Sequence, residues 1–165
     1  RYARQLGVMM GVRSISVTAN VPFGKALGAS ANGRRAGMPV SDGTSASQGA
    51  DSHGPAAVLL SNFNTKNYDN KEREGRLLNI KFTPRSVAGE EGTRRLMAFI
   101  RAFCDLKLWH LQFNVINRET LVAAQDEPDR YKGLIIRIAG YSAYFVDLSR
   151  DLQNDLIART SHDAW

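Results

Sequence analysis

The stretch Arg137-Ile138-Ala139-Gly140-Tyr141-Ser142-Ala143, entered from the branched pair Ile135-Ile136, constrains this chain more than any other. A short apolar run rich in β-branched residues reads as a buried strand. Leu134 to Ala139 therefore predicts a strand that delivers Gly140. A lone glycine in that position fits a bulge or a tight turn that needs φ > 0. It also fits a chemical role that no other residue fills as well. The glycine Cα–H lies between two peptide groups, so a radical left there is stabilised by nitrogen donation on one side and carbonyl withdrawal on the other. A Cβ would crowd that centre and twist it out of plane.

Around this stretch the elements alternate. Arg13 to Asn20 places branched and hydroxyl residues in strand order and breaks at Asn20-Val21-Pro22. Phe23 to Ala29 predicts a second short strand or an extended segment. Asn32-Gly33 signals a turn. From there to Pro55 the residues are mostly Gly, Ser, Ala, Asp and Pro, which predicts a loop longer than ordinary connections. Pro55 suits the first turn of a helix running through Leu60, and Asn62 to Arg76 reads as polar and exposed. Leu77 to Thr83 reads as a strand ended by Pro84. Thr93 to Asp105 predicts a helix with Leu96, Met97, Ile100, Phe103 and Cys104 on its apolar face, and Glu90 and Glu91 just ahead of it. Trp109 to Ile116 reads as a strand in which Leu111, Phe113 and Val115 alternate with His110, Gln112 and Asn114. Asn117 and Ser149 are placed to cap two further helices, the last with Leu152, Leu156 and Ile157 as its apolar face.

The chain's 165 residues can bury a real core, and a hydrophobic content of 43% places it among globular chains. No apolar run is long enough to span a bilayer, and nothing at the start resembles a secretory signal. A net charge of +6 raises the question of nucleic acid. Its arginines are interleaved with Asp and Glu and form no long basic run, which argues against that partner. One cysteine allows no internal disulfide and fits a reducing compartment. His53, His110 and His162 are scattered, so no metal-ligand set exists in the sequence. The glycines lack nucleotide-cradle spacing. The chain opens at Arg1 with what reads as the end of a helix. It is therefore expected to be the C-terminal piece of a longer polypeptide, or one subunit of a split enzyme.

The heptad and its flanks resemble the glycyl radical enzymes. The resemblance is carried by His110-Leu111-Gln112-Phe113-Asn114-Val115, Arg118-Glu119-Thr120-Leu121, Ala124-Gln125, Pro128 and Tyr131 before Gly140. After it come Tyr144-Phe145-Val146-Asp147-Leu148, Gln153 and Ile157-Ala158-Arg159-Thr160. Upstream, Gly24, Gly33-Arg34-Arg35-Ala36-Gly37, Pro39, Ser41-Asp42-Gly43, Gly54-Pro55 and Leu77-Leu78-Asn79 extend it over nearly the whole chain. Ala31-Asn32-Gly33-Arg34 stands where many members carry Pro-Asp-Gly-Arg, a change the turn tolerates. The resemblance implies an α/β chain forming the C-terminal part of a ten-stranded α/β barrel. Residues 1–107 would supply barrel strands, the Gly/Ser-rich loop and helices, and residues 108–165 the glycyl radical domain.

By the same resemblance, Gly140 stores a radical that generates a thiyl on a cysteine outside this chain. The chemistry would be anaerobic decarboxylation, dehydration or addition to fumarate, and this chain alone would be inactive. No cofactor is expected to be bound. The radical is a modified residue installed by a radical-S-adenosylmethionine activase with an iron-sulfur cluster. Expected partners are the remainder of the enzyme, the activase, a second copy in a homodimer and a small organic substrate, with no nucleic acid or membrane. The setting would be the cytoplasm of an anaerobic bacterium or archaeon.

Arg137 serves activase recognition or loop anchoring on one reading and a surface salt bridge on the other. Ala139 and Ser142 give the loop small residues that open cheaply, and Tyr141 either shields the radical or packs. Ile136, Ile138, Tyr141, Tyr144 and Phe145 suit a loop that must be buried. His110, Gln112 and Asn114 line a cavity beside the loop, or satisfy one another and backbone groups in a buried network. Cys104 reads as a core residue rather than the thiyl. Two rivals remain: a stand-alone radical repair subunit and a non-catalytic basic α/β binding module.

Overall fold

The computed structural model describes residues 19–65 and 77–165. Helix α1 (Asn20–Ala26) leads into the Gly/Ser-rich loop, which ends at α2 (Pro55–Asn64) with Pro55 in its first turn. Strand β1 (Leu77–Phe82) is followed by a 3-10 turn (Pro84–Val87), α3 (Gly89–Asp105) and β2 (His110–Val115). This is a crossover unit, so β2 pairs with β1 in parallel, with Leu77 opposite His110 and Phe82 opposite Val115. Next come α4 (Arg118–Asp126) and a hairpin of β3 (Ile135–Arg137) and β4 (Ser142–Tyr144). Helix α5 (Arg150–Ala158) then leads to β5 (Ser161–His162), which joins β1 in parallel on its other edge, giving the order β2-β1-β5.

The period-two alternation of β1 gives the sheet two unlike faces. Leu78, Ile80 and Phe82 point into a cluster with Val58 and Leu59 of α2 and Phe99 of α3. Phe82 is fully buried, stacked on Trp165 at 4.7 Å and edge-on to Phe99 at 5.8 Å. Burial of such a ring contributes about 1.5–3 kcal/mol. Leu77, Asn79 and Lys81 point the other way, in register with His110, Gln112 and Asn114. That second face carries polar side chains and meets the long loop, the hairpin and α5. Helices on the apolar face and chemistry-bearing side chains on the other are what one sector of an α/β barrel requires.

A second apolar cluster lies beyond the polar face. Ile136, Ile138, Ala139 and Phe145 of the hairpin segment meet Leu121 and Ala124 of α4 and Leu156 and Ile157 of α5, joined by Ile116 and Leu77. The hairpin is thus anchored on one side and presents Ile135, Arg137, Ser142 and Tyr144 on the other.

Several expectations are corrected. Phe23 to Ala29 is not a strand: α1 runs to Ala26, because Pro22 sits in its first turn, where a missing N–H costs nothing. Phe23 and Leu27, the apolar residues of that reading, are exposed. Cys104 is exposed, as are Met97 and Ile100. Helix α3 instead turns Gly92, Leu96, Phe99 and Phe103 inward, its rotation set by Gly92, where a Cβ would lie 2.4 Å from the Val87 carbonyl carbon. Asn117 and Ser149 occupy the N-cap positions without making a side-chain cap bond. Asn62 is buried, donating to the Thr44 carbonyl at 3.0 Å. The expected strand from Arg13 falls almost wholly outside the described residues.

Candidate functional site

Gly140 sits at the tip of the β3–β4 hairpin, in a turn closed by the Ile138 N–H donating to the Tyr141 carbonyl at 2.9 Å. Its φ is +83°, at the third of four turn residues, where type II geometry requires a left-handed residue. The geometric and the chemical readings of this glycine are therefore compatible: it occupies a tight turn, and no heavy atom lies within 4 Å of where a Cβ would be.

The turn is gripped through its backbone. The Gly140 N–H donates to Gln112 Oε1 at 3.1 Å. With that oxygen engaged, the Gln112 amide nitrogen faces His110 and donates to its Nε2 at 3.0 Å. Asn114 reaches the same hairpin two residues along β2. Its Oδ1 accepts from the Arg137 N–H at 2.9 Å and its Nδ2 donates to the Arg137 carbonyl at 2.7 Å, so one side chain replaces a strand partner. The Arg137 guanidinium folds back over the turn, with Nη2 donating to the Gly140 carbonyl and Nη1 to Ser142 Oγ, both at 3.3 Å. The expected network of His110, Gln112 and Asn114 is thus present, and its backbone partners belong to the turn. Arg137 anchors the loop and takes part in no salt bridge of its own among the described residues.

Burial divides within the turn. Ile138 and Ala139 are fully buried, whereas Gly140 and Ser142 are exposed and Tyr141 keeps 45% of its surface in solvent. The expectation of a covered loop fails at its tip in this chain, and Tyr144 is exposed as well. The small residues do not make the loop loose either, since Ile138 and Phe145 are large anchors with no exposed surface.

One arrangement was missed in the sequence. Arg159, just after α5, donates Nη1 to the Ile138 carbonyl at 2.9 Å. It also pairs with Asp42 of the long loop at 3.0 Å and with Asp155 at 2.8 Å, and all three side chains are nearly buried. Asp155 accepts from Asn20 and Gln48, and Asp42 from Asn79. Burial holds the Asp42 carboxyl above its ordinary value, against the opposing pull of Arg159 and Asn79. Lys81 donates to the Leu156 carbonyl at 2.9 Å; burial, then the Arg159 and Arg118 charges, lowers its pKa to about 8. Burial pushes Asp51 up, but hydrogen bonds from His162 and Thr160 outweigh it and leave its pKa lowered. The cavity among these groups holds about 40 Å³, room for a water rather than an organic substrate. The layer is a polar joint between the hairpin and the sheet. Its one sequence signal is the Asp155/Arg159 spacing of four.

Among the described residues no group of three or more His, Cys, Asp or Glu could hold a metal ion, and no helix is long and apolar enough to cross a membrane.

The Glycine radical family model matches residues 40–146. Isethionate sulfite-lyase of Oleidesulfovibrio alaskensis is 65% identical over 164 residues, covering 99% of this chain and 20% of that protein. Trans-4-hydroxy-L-proline dehydratase of Clostridioides difficile is 42% identical over 149 residues, covering 90% and 18%. The glycerol-bound B12-independent glycerol dehydratase from Clostridium butyricum superposes with a TM-score of 0.81 at 44% identity, over 87% of this chain and 18% of that one. The chain thus spans about a fifth of the length of the curated relatives it matches.

Proposed function

This chain belongs to the glycyl radical enzymes, and on that premise we propose that Gly140 is the residue that stores the radical. The observation that carries the reading is the tip of the hairpin. Gly140 is held through its own N–H and carbonyl by Gln112 and Arg137, while its Cα faces open space. A residue gripped by its peptide groups and bare at its α-carbon is placed to give up a hydrogen atom and keep the unpaired electron. Residues 108–165 form the radical-bearing unit on this reading, since nearly all of the second apolar cluster comes from them.

The relatives' lengths imply a larger polypeptide that supplies the thiyl-forming cysteine and covers the exposed tip. A radical-S-adenosylmethionine activase installs the radical. The reaction type follows the identities. At 65% to an isethionate sulfite-lyase against 42% to a hydroxyproline dehydratase, we assign the parent to carbon–sulfur bond cleavage of a hydroxyalkyl sulfonate, a lyase reaction beyond the three types expected from the sequence. The basic-module rival loses its ground in the charge layout. Arg85, Arg94, Arg95, Arg130 and Lys132 each pair with a surface carboxylate and form no cationic face.

The test is electron paramagnetic resonance of the activated full-length polypeptide under anaerobic conditions. A doublet from one α-hydrogen is expected, lost in Gly140→Ala, with chain cleavage at residue 140 after air exposure. A doublet that survives Gly140→Ala overturns the assignment. Sulfite release from isethionate, compared with turnover of hydroxyproline, decides the substrate class.

A further inference from the structure

The turn that presents Gly140 is the wrong shape for the radical it would store. A peptide nitrogen is conjugated within its own peptide plane. The singly occupied orbital of a trigonal Cα stands perpendicular to the N–Cα–C plane. Nitrogen can share the unpaired electron only when those two planes coincide, which means φ near 180°, since φ near 0° is sterically closed. At +83° the planes stand close to a right angle. A radical formed in this geometry keeps only what the carbonyl side supplies.

We propose that Gln112 and Arg137 are positioning residues that hold Gly140 twisted, so that its Cα–H is not weakened by the amide nitrogen until their grip yields and the residue flattens. The inference rests on the assignment of the radical to Gly140. Rotation about N–Cα moves the Gly140 N–H relative to its carbonyl, so the bond to Gln112 Oε1 and the bond from Arg137 Nη2 cannot both persist. Gln112 is buried and tied to His110, and the Arg137 backbone is pinned by Asn114, so neither partner follows the movement freely. Room to flatten exists, because the side of Gly140 where a Cβ would lie is open. The path from +83° toward 180° crosses backbone territory open essentially to glycine alone. Glycine is needed for the passage as well as for the radical centre. In the resting turn the hydrogen is protected from adventitious loss, and the same hydrogen becomes labile once the turn opens.

The experiment uses the full-length polypeptide labelled with ¹⁵N-glycine, activated anaerobically and read by electron–nuclear double resonance. The radical residue's own amide nitrogen is expected to show the axial π-type coupling of a flattened glycine. A nitrogen without that coupling means the radical stays twisted and overturns the proposal. In parallel, Gln112→Met removes the acceptor and is expected to speed radical installation about five-fold, the equivalent of one net hydrogen bond. Gln112→Glu keeps an acceptor and should show no such gain. An installation rate in Gln112→Met no faster than in the unsubstituted protein also overturns the proposal. If Gln112→Met does not fold, the nitrogen coupling of the unsubstituted protein decides alone. Absence of any doublet in the unsubstituted protein overturns the Gly140 assignment itself, and the inference falls with it.

Discussion

Replacing Arg159 with methionine should release the radical hairpin. The guanidinium bridges Asp42 at 3.0 Å and Asp155 at 2.8 Å and holds the Ile138 carbonyl at 2.9 Å. The side chain of Arg159 retains 12% of its exposure, that of Asp42 8% and that of Asp155 2%. Removing one partner of a buried ion pair costs about 3–5 kcal/mol, because a charge is left uncompensated in a poor solvent. Asp155 keeps Asn20 and Gln48, and Asp42 keeps Asn79, which places the cost toward the lower end. At about 1.4 kcal/mol per factor of ten, local opening becomes roughly a hundred-fold more frequent, up to about three thousand-fold.

Amide hydrogen exchange over residues 134–146 reads this directly, with the exposed pair Arg85–Asp163 as control, where Arg85→Met should leave protection unchanged. The effect has a pH signature. Burial already raises the Asp42 carboxyl above its ordinary 3.8 in the folded protein, and loss of Arg159 raises it further. A carboxyl raised on folding contributes stability that is complete below its unfolded value and lost as pH rises through the folded one. The variant's deficit should therefore shrink on acidification and grow toward neutrality. Unchanged exchange of the 134–146 segment in Arg159→Met would refute the reasoning.

Two further outcomes are expected. Gly24→Ala should disrupt the packing of α1, since its Cβ would lie 2.2 Å from the Met38 carbonyl oxygen and 2.5 Å from Pro39 Cα, both backbone; Gly28→Ala meets nothing within 4 Å and should change stability by no more than about 0.5 kcal/mol. Limited proteolysis of the two variants separates them. Lys81, lowered from 10.5 to about 8 by burial and nearby positive charge, binds its proton more weakly folded than unfolded. Its presence should make stability rise with pH between about 8 and 10.5, and denaturant midpoints of Lys81→Met should lack that rise.

Legibility followed the range of the interactions. The strands Leu77–Phe82 and His110–Val115 and the helix begun by Pro55 could be read because period and cap are written in neighbouring residues. The two-residue β5 could not, since its pairing with Lys81 and Phe82 exists only once β1 is beside it. In α3 the apolar positions allowed more than one inward face. The choice of Phe99 over Met97, Ile100 and Cys104 came from contact with β1 and the close approach at Gly92. Gly140, Arg137, Gln112 and Asn114 were legible as residues that share one hairpin tip and one strand face, but which backbone atoms they hold was not.

By itself the amino-acid order determined an α/β chain, a strand ending in a glycine suited to an α-carbon radical, and a polar face on the strand that precedes it. Folding alone decided the buried joint beneath that glycine. Gln48 and Asp155 lie 107 residues apart in the chain, and Asp42 meets Arg159 only when the long loop closes over α5. Local propensity acts within a few residues and is written along the chain. The pairing of buried charges depends on which segments exclude water together, and that is settled only when the sheet, the loop and the hairpin pack.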